Sequence, residues 1–399
     1  MLQTADAIHD PVRMRRANAE LLSLALIDAR NHTLRWLAAF DGVVAPADAA
    51  VSPLWLAGHA GWYQEHWIAR HVQRQRGEHC EASALRLASI DPRADDWLCH
   101  RRGSGPGLSA HEVREYLAAT LDITLDLLAA SDDSDDALHF FRAAMLHEDR
   151  LGEALAELAA AWQLPSGGPS APPWLPLPAR PPREPVWWPA QRFCIGALPG
   201  GLVPDNERWA HEVEVPEFEI DAQAVSWARY VEFAEDGGYD RRDWWTDAGW
   251  AFLQAEGRRA PRHVEQLRGG VLLRRHGQLR RVAGEQPALH LTRHEAEAWC
   301  RWAGRRLPTE PEWELAATLG RSRGFVWGDV FEWVAGSARP WPGHVATPGT
   351  LDAMPPLRTQ GVQRGASWMT RPRRCHVSAR RFAAVDADTS FCGFRSCAL

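Results

Sequence analysis

Ten prolines between residues 165 and 189 split this chain into two stretches of different periodicity. Proline fixes φ and removes a backbone donor, so neither a helix nor a central strand runs through such a segment. An extended, semi-rigid linker is expected over 165–189. Before it, apolar residues recur at helical spacing. After it, short strand-like runs alternate with turns, and most of the 21 tryptophans accumulate. The chain therefore reads as α+β, with helices first and strands later. Its 399 residues suffice for two or three domains, each with a core. The expected division is 13–164, 165–189 and 190–399.

Four amphipathic helices are expected in the first part, over 17–40, 55–76, 110–130 and 136–162. The third shows the pattern well, with Val113, Tyr116, Leu117, Leu121, Leu125 and Leu128 on one stripe. Helices of this length suit a four-helix bundle. The polar 77–109 connection, with Gly103, Gly105, Pro106 and Gly107, is expected to lie over the bundle. A net charge of −6 without a basic stripe argues against a nucleic-acid partner. No apolar run approaches the roughly 20 residues that cross a bilayer. Met1 to Asp6 has no signal-peptide character, so a cytoplasmic location is expected. Seven scattered cysteines fit reduced thiols better than a disulfide framework.

Turn chemistry is legible between Arg301 and Glu314. Gly304 suits the left-handed end of a helix, Leu307-Pro308 forces extension, and Thr309 with Glu312 makes a capping box. This segment, followed by Gly328-Asp329-Val330-Phe331-Glu332-Trp333, Arg364-Gly365-Ala366-Ser367-Trp368 and Cys392-Gly393-Phe394-Arg395, resembles the formylglycine-generating-enzyme-like fold, a relative of the C-type lectins. Tryptophan richness has two readings: large rigid side chains filling a core poor in regular structure, or a cation–π site for a quaternary ammonium ligand.

Two histidines of the helical part stand in suggestive contexts. His59 lies in Gly58-His59-Ala60-Gly61-Trp62, where the glycines thin the helix. His147 lies in Leu146-His147-Glu148-Asp149 on the fourth helix. Either alone suits a satisfied core residue. Together, on neighbouring helices of a bundle, they suit a metal site. With the linker and the later fold, a DinB-like bundle carrying these motifs resembles the ergothioneine-type sulfoxide synthases. These are non-haem iron enzymes that join a sulfur donor to the imidazole C2 of hercynine, the trimethylbetaine of histidine. Phe218 to Trp250 resembles that family in particular.

The resemblance implies Fe(II) held by His59 and His147. The family's third histidine, four residues after His147, is matched by Leu151. His32, His66, His139 or a group from the later domain remain candidates for that place. His-Glu-Asp-x-x-Gly-Glu-Ala and Asp28 to Leu34 look most like the selenoneine synthases, which join a selenosugar to hercynine. No tyrosine follows Tyr239, so the late proton-donating tyrosine of the sulfur enzymes has no counterpart.

The reading that follows is an O2-dependent enzyme joining hercynine and a selenosugar through a C–Se bond. A thiol-using sulfoxide synthase and a non-catalytic betaine-binding relative without iron stay open beside it. Trp333 and Phe331 are the expected aromatic contacts of the trimethylammonium, with Glu332 as counter-charge or as a structural pin. Arg380, Arg381 and Arg395 are expected to read the carboxylate or the sugar hydroxyls. No catalytic acid or base is assigned.

Overall fold

A computed structural model describes residues 6–47, 49, 51–99, 107–166, 172–350 and 360–399. Residues 1–5 of the N-terminal reading, Gly103, Gly105 and Pro106 of the connection, and linker residues 167–171 lie outside the described residues.

Four long helices form where apolar periodicity starts behind a capping side chain: α1 (Ala19–Ala38), α2 (Pro53–Gln64), α3 (Ala110–Ala129) and α4 (Asp135–Ala161). Asn18, Ser52, Ser109 and Ser134 each accept a hydrogen bond from a backbone N–H two or three residues on, satisfying donors that a helix start leaves orphaned. Both α1 and α2 pack against α3 and α4. Trp36, Leu117, Phe140 and Leu155 are among the side chains they bury.

The second helix departs from expectation. It leaves α geometry at Gln64 and passes through a π-turn, Glu65–Ala69. Glu65 there is fully buried, accepting hydrogen bonds from Ser89 Oγ (2.7 Å), the Ile90 N–H (2.8 Å) and the Tyr116 hydroxyl. These partners come from distant segments, so helical periodicity alone misses the break. The 77–109 connection also differs, because its helix Pro92–Leu98 buries Trp97 and Leu98 in the core. A methyl on Gly58 would stand 3.0 Å from Leu98 Cδ2, and one on Gly61 2.9 Å from Thr120 Oγ1. The glycines beside His59 thus admit neighbouring protein.

The later part is built on short strands. β1 (Val186–Trp188), β4 (Phe218–Ile220), β13 (Cys397–Ala398) and β8 (Arg305–Arg306) form one sheet in that order. A second runs β11 (Arg380–Ala383), β10 (Gly361–Gly365), β9 (Phe331–Ser337), β12 (Cys392–Phe394), with β12 parallel to β9. β2 (Gln191–Ile195) pairs with β3 (His211–Val215), and β5 (Val264–Gln266), β6 (Leu272–Arg275) and β7 (Gln278–Arg281) make an antiparallel meander. Thr309 and Glu312 form the expected capping box, and Gly304 takes φ 63°.

The two parts meet along α4. Asp149, Glu153 and Glu157 recur every four residues and so share one face. Each takes an arginine from the later part: Arg373 on Asp149 (2.6 and 2.7 Å), Arg374 on Glu153 (3.1 Å), Arg381 on Glu157 (2.7 and 3.0 Å). None of the seven cysteines forms a disulfide. No helix among the described residues is long and apolar enough to cross a membrane.

Candidate active site

His59 and His147 come together. Nδ1 of His59 lies 2.9 Å from Nε2 of His147, with α2 and α4 presenting the rings to each other. Trp55 and Trp62, one turn either side of His59, hold its ring at centroid distances of 4.8 and 5.0 Å. Tyr63 stacks on His147 at 4.5 Å, and its hydroxyl donates to the Gly349 carbonyl (2.6 Å). The later part of the chain therefore helps to fix the ring of His147.

Burial, aided by Arg150 and His66, lowers the His59 imidazole to about 4. Burial, with His59 and Arg150 nearby, takes His147 well below its ordinary value. Both rings are neutral near pH 7, which is the ligating form of imidazole. Burial and the nearby Asp205 carboxylate push the Tyr63 phenol far up, so it stays protonated as a donor. His147 Nδ1 is buried without a partner.

These features bear directly on whether a metal fits. Two nitrogens each roughly 2.1 Å from a first-row ion, at right angles, stand about 3 Å apart. The observed separation agrees with a pair of adjacent ligands. A third side chain is another matter: no group of three or more His, Cys, Asp or Glu suited to a metal occurs among the described residues. Leu151, one turn beyond His147, is buried among apolar neighbours. His32 Nε2 accepts from the Trp36 indole (3.0 Å), His66 stacks on Trp62 at 4.7 Å, and His139 packs edge-on against Phe140. Nearby carboxylates are occupied as well. Glu148 takes Arg30 (2.7 and 3.2 Å) and Gln64 (3.1 Å), while Glu153 accepts from Ser367 Oγ (2.6 Å) and Thr370 Oγ1 (2.5 Å).

The six residues expected to read substrate lie in or beside the β9–β12 sheet. Trp333 is fully buried, and its indole donates to the Leu291 carbonyl (2.8 Å). Glu332 accepts from Trp313 (2.7 Å) and holds Arg395 by two bonds (2.5 and 2.7 Å). Arg380 is paired to Glu310 in the same two-pronged way (2.7 and 2.9 Å). Arg381 lies 4.6 Å over the Phe331 ring while holding Glu157. Of the six, only Arg381 bonds to the helix that carries His147 among the described contacts. Sequence reasoning did not single out Tyr63 or Trp55. Their signal was their position beside His59, at distances where a helix stacks side chains.

Residues 178–331 match the sulfatase-modifying factor enzyme 1-like domain. The chain is 31% identical to the hercynine oxygenase of Mycolicibacterium smegmatis over 436 residues, covering 94% of this chain and 98% of the relative. It is 32% identical to that of Mycolicibacterium thermoresistibile over 406 residues, covering 87% of each. The formylglycine-generating enzyme of Streptomyces coelicolor matches at 33% over 161 residues, 37% of this chain and 51% of the relative.

Proposed function

Since this chain belongs to the hercynine oxygenase family, with near full-length similarity to its relatives, we propose that it is an O2-dependent non-haem iron enzyme acting on hercynine. The finer reading is that its second substrate is a selenosugar. The selenol's Se–H and the imidazole's C2–H are lost and a C–Se bond forms. O2 takes up four electrons, one oxygen going to selenium and the other leaving as water. Fe(II), held by His59 and His147, would supply the activation of O2. The observation that carries the proposal is the convergence within 2.9 Å of two neutral imidazoles, His147 buried and His59 half-buried.

The chain's own groups have definable tasks in this reading. Trp55 and Trp62 keep water from the His59 ring, and Tyr63 orients His147 through stacking and its bond to Gly349. Phe331 and Arg381 are the substrate-side pair, because Arg381, alone of those six, bonds to α4 among the described residues. Trp333, Glu332, Arg380 and Arg395 brace the sheet beside that pair, through Leu291, Trp313 and Glu310. The domain reading is a DinB-like four-helix bundle over 13–164, a linker over 165–189 whose last residues join the later sheet as β1, and a formylglycine-generating-enzyme-like domain over 190–399.

Selenium is favoured because no tyrosine follows Tyr239 to deliver a proton late in the fold. A selenol ionises more readily than a thiol and so asks less of the protein. The test is competition: iron-loaded protein, hercynine and O2, with a selenosugar and its thiosugar analogue at equal concentration. Mass spectrometry should show selenium incorporated first. Preferential incorporation of sulfur from the thiosugar, or from a cysteine-derived thiol offered alone, would reject the selenium reading and leave the family assignment standing.

A further inference from the structure

We propose that Trp62 and Asp95 discharge the site when O2 is activated there with no chalcogen donor bound: the Trp62 indole gives an electron to the oxidised centre and its N–H proton to Asp95. The inference rests on the reading of His59 and His147 as ligands of an O2-activating metal.

Local structure brings the two side chains together beside the histidines. Trp62 stands on α2 with its ring 5.0 Å from that of His59, and His66 stacks on it at 4.7 Å. Its N–H donates to Asp95 Oδ1 (2.8 Å), while Arg70 holds Oδ2 (2.8 Å). Asp95 comes from the helix Pro92–Leu98, in the connection expected to lie over the bundle. Glu65, in the π-turn that follows Trp62, ties that connection down at Ser89 and Ile90, just ahead of the helix. Such π-turns recur at functional sites.

Three oxidisable rings touch the histidine pair: Trp55, Trp62 and Tyr63. Losing an electron makes an indole N–H or a phenol O–H strongly acidic, so the ring beside a base is the easiest to oxidise. Tyr63 donates to the Gly349 carbonyl, a poor base. The Trp55 N–H is buried without a partner. Trp62 alone of the three donates to a carboxylate. Two other indoles among the described residues do the same, Trp302 to Asp236 (2.8 Å) and Trp313 to Glu332 (2.7 Å), but their ring contacts lie in the later part of the chain. The step balances. The centre gains one electron, Asp95 gains the proton, and the indole is left as a neutral radical. Trp62 is half-buried. A small thiol returns a hydrogen atom to its nitrogen, and two thiyl radicals join as a disulfide.

The test uses the iron-loaded full chain, exposed to O2 with hercynine and no chalcogen donor. Samples are frozen during the reaction for paramagnetic resonance, and oxidised residues are mapped by mass spectrometry. A tryptophan radical should appear, identified with ring-deuterated tryptophan, and oxygen should accumulate on the peptide carrying Trp62. Trp62→Phe should lose the radical and shift oxidation onto the peptides carrying His59 and His147. Asp95→Asn keeps an acceptor for the indole but is no base, so its radical should fall while its iron content holds. Asp95→Asn decides the matter if Trp62→Phe fails to hold iron. Trp302→Phe should match the parent. A radical that survives Trp62→Phe, an equal radical in Asp95→Asn and the parent, or oxidation reaching Tyr63 or Trp55 first would each overturn the proposal. An iron-loaded parent without a tryptophan radical sinks this inference alone. A parent that takes up no iron sinks the metal reading and this inference with it.

Discussion

Arg373→Leu is expected to destabilise the protein by about 3–5 kcal/mol, the range for breaking a buried ion pair from one side. Arg373 is fully buried and makes two bonds to Asp149 on α4 (2.6 and 2.7 Å) and one to Asp28 on α1 (2.7 Å). Without the guanidinium, Asp149 is left as a charge away from water with no partner, and that accounts for most of the penalty. A paired change, Arg373→Leu with Asp149→Leu, should recover much of the loss, because it leaves no orphaned charge. Urea unfolding of the two variants and the parent measures the difference. A loss below about 1 kcal/mol for the single change, the level of a surface pair, would remove Arg373 as the clamp between the two parts.

Acid should reveal the same clamp. Burial pulls the Asp28 carboxyl upward, but Arg373 and Arg371 outweigh it and hold the group below its ordinary range. A depressed carboxylate contributes stability that is present above its unfolded pKa and lost as pH falls through the folded value. The parent should therefore lose stability below about pH 4 more steeply than Arg373→Leu, in which part of that depression is already gone.

How much of this was legible in the sequence depends on the range of each interaction. Capping boxes at Ser109–Glu112 and Thr309–Glu312 involve partners three residues apart, so local spacing announces them. The Glu332–Arg395 and Glu310–Arg380 pairs span 63 and 70 residues, and nothing in local pattern joins them. Glutamate and arginine beside aromatic residues look the same in sequence whether they await a substrate or already hold each other. The glycines flanking His59 are similar: small residues signal close approach, but only the fold shows that Leu98 and Thr120 approach. His59 and His147, 88 residues apart, stand out by local context, the glycines around His59 and the expected neighbouring helices, and the family resemblance adds the role of ligands.

His147→Ala should abolish iron uptake, and Leu151→His should strengthen it. With two imidazoles converging and no third His, Cys, Asp or Glu grouped with them among the described residues, removal of either leaves at most one protein ligand. Metal analysis after anaerobic loading should then find the His147→Ala and His59→Ala proteins empty, and circular dichroism should confirm that their helices persist. Leu151 lies one turn beyond His147 on the same face of α4, so an imidazole there reaches toward the same ion. Losing a hydrogen-bond partner of a metal ligand alone costs roughly 10–100-fold in metal affinity, so a gained ligand should tighten Fe(II) binding by at least roughly tenfold. The measurement is the Fe(II) dissociation constant of each protein, set beside its melting temperature because position 151 is buried. Full iron occupancy in His147→Ala would reject the pair as ligands. No iron uptake by the parent, with uptake restored by Leu151→His, would favour the betaine-binding reading and identify position 151 as the change that separates it from a metalloenzyme.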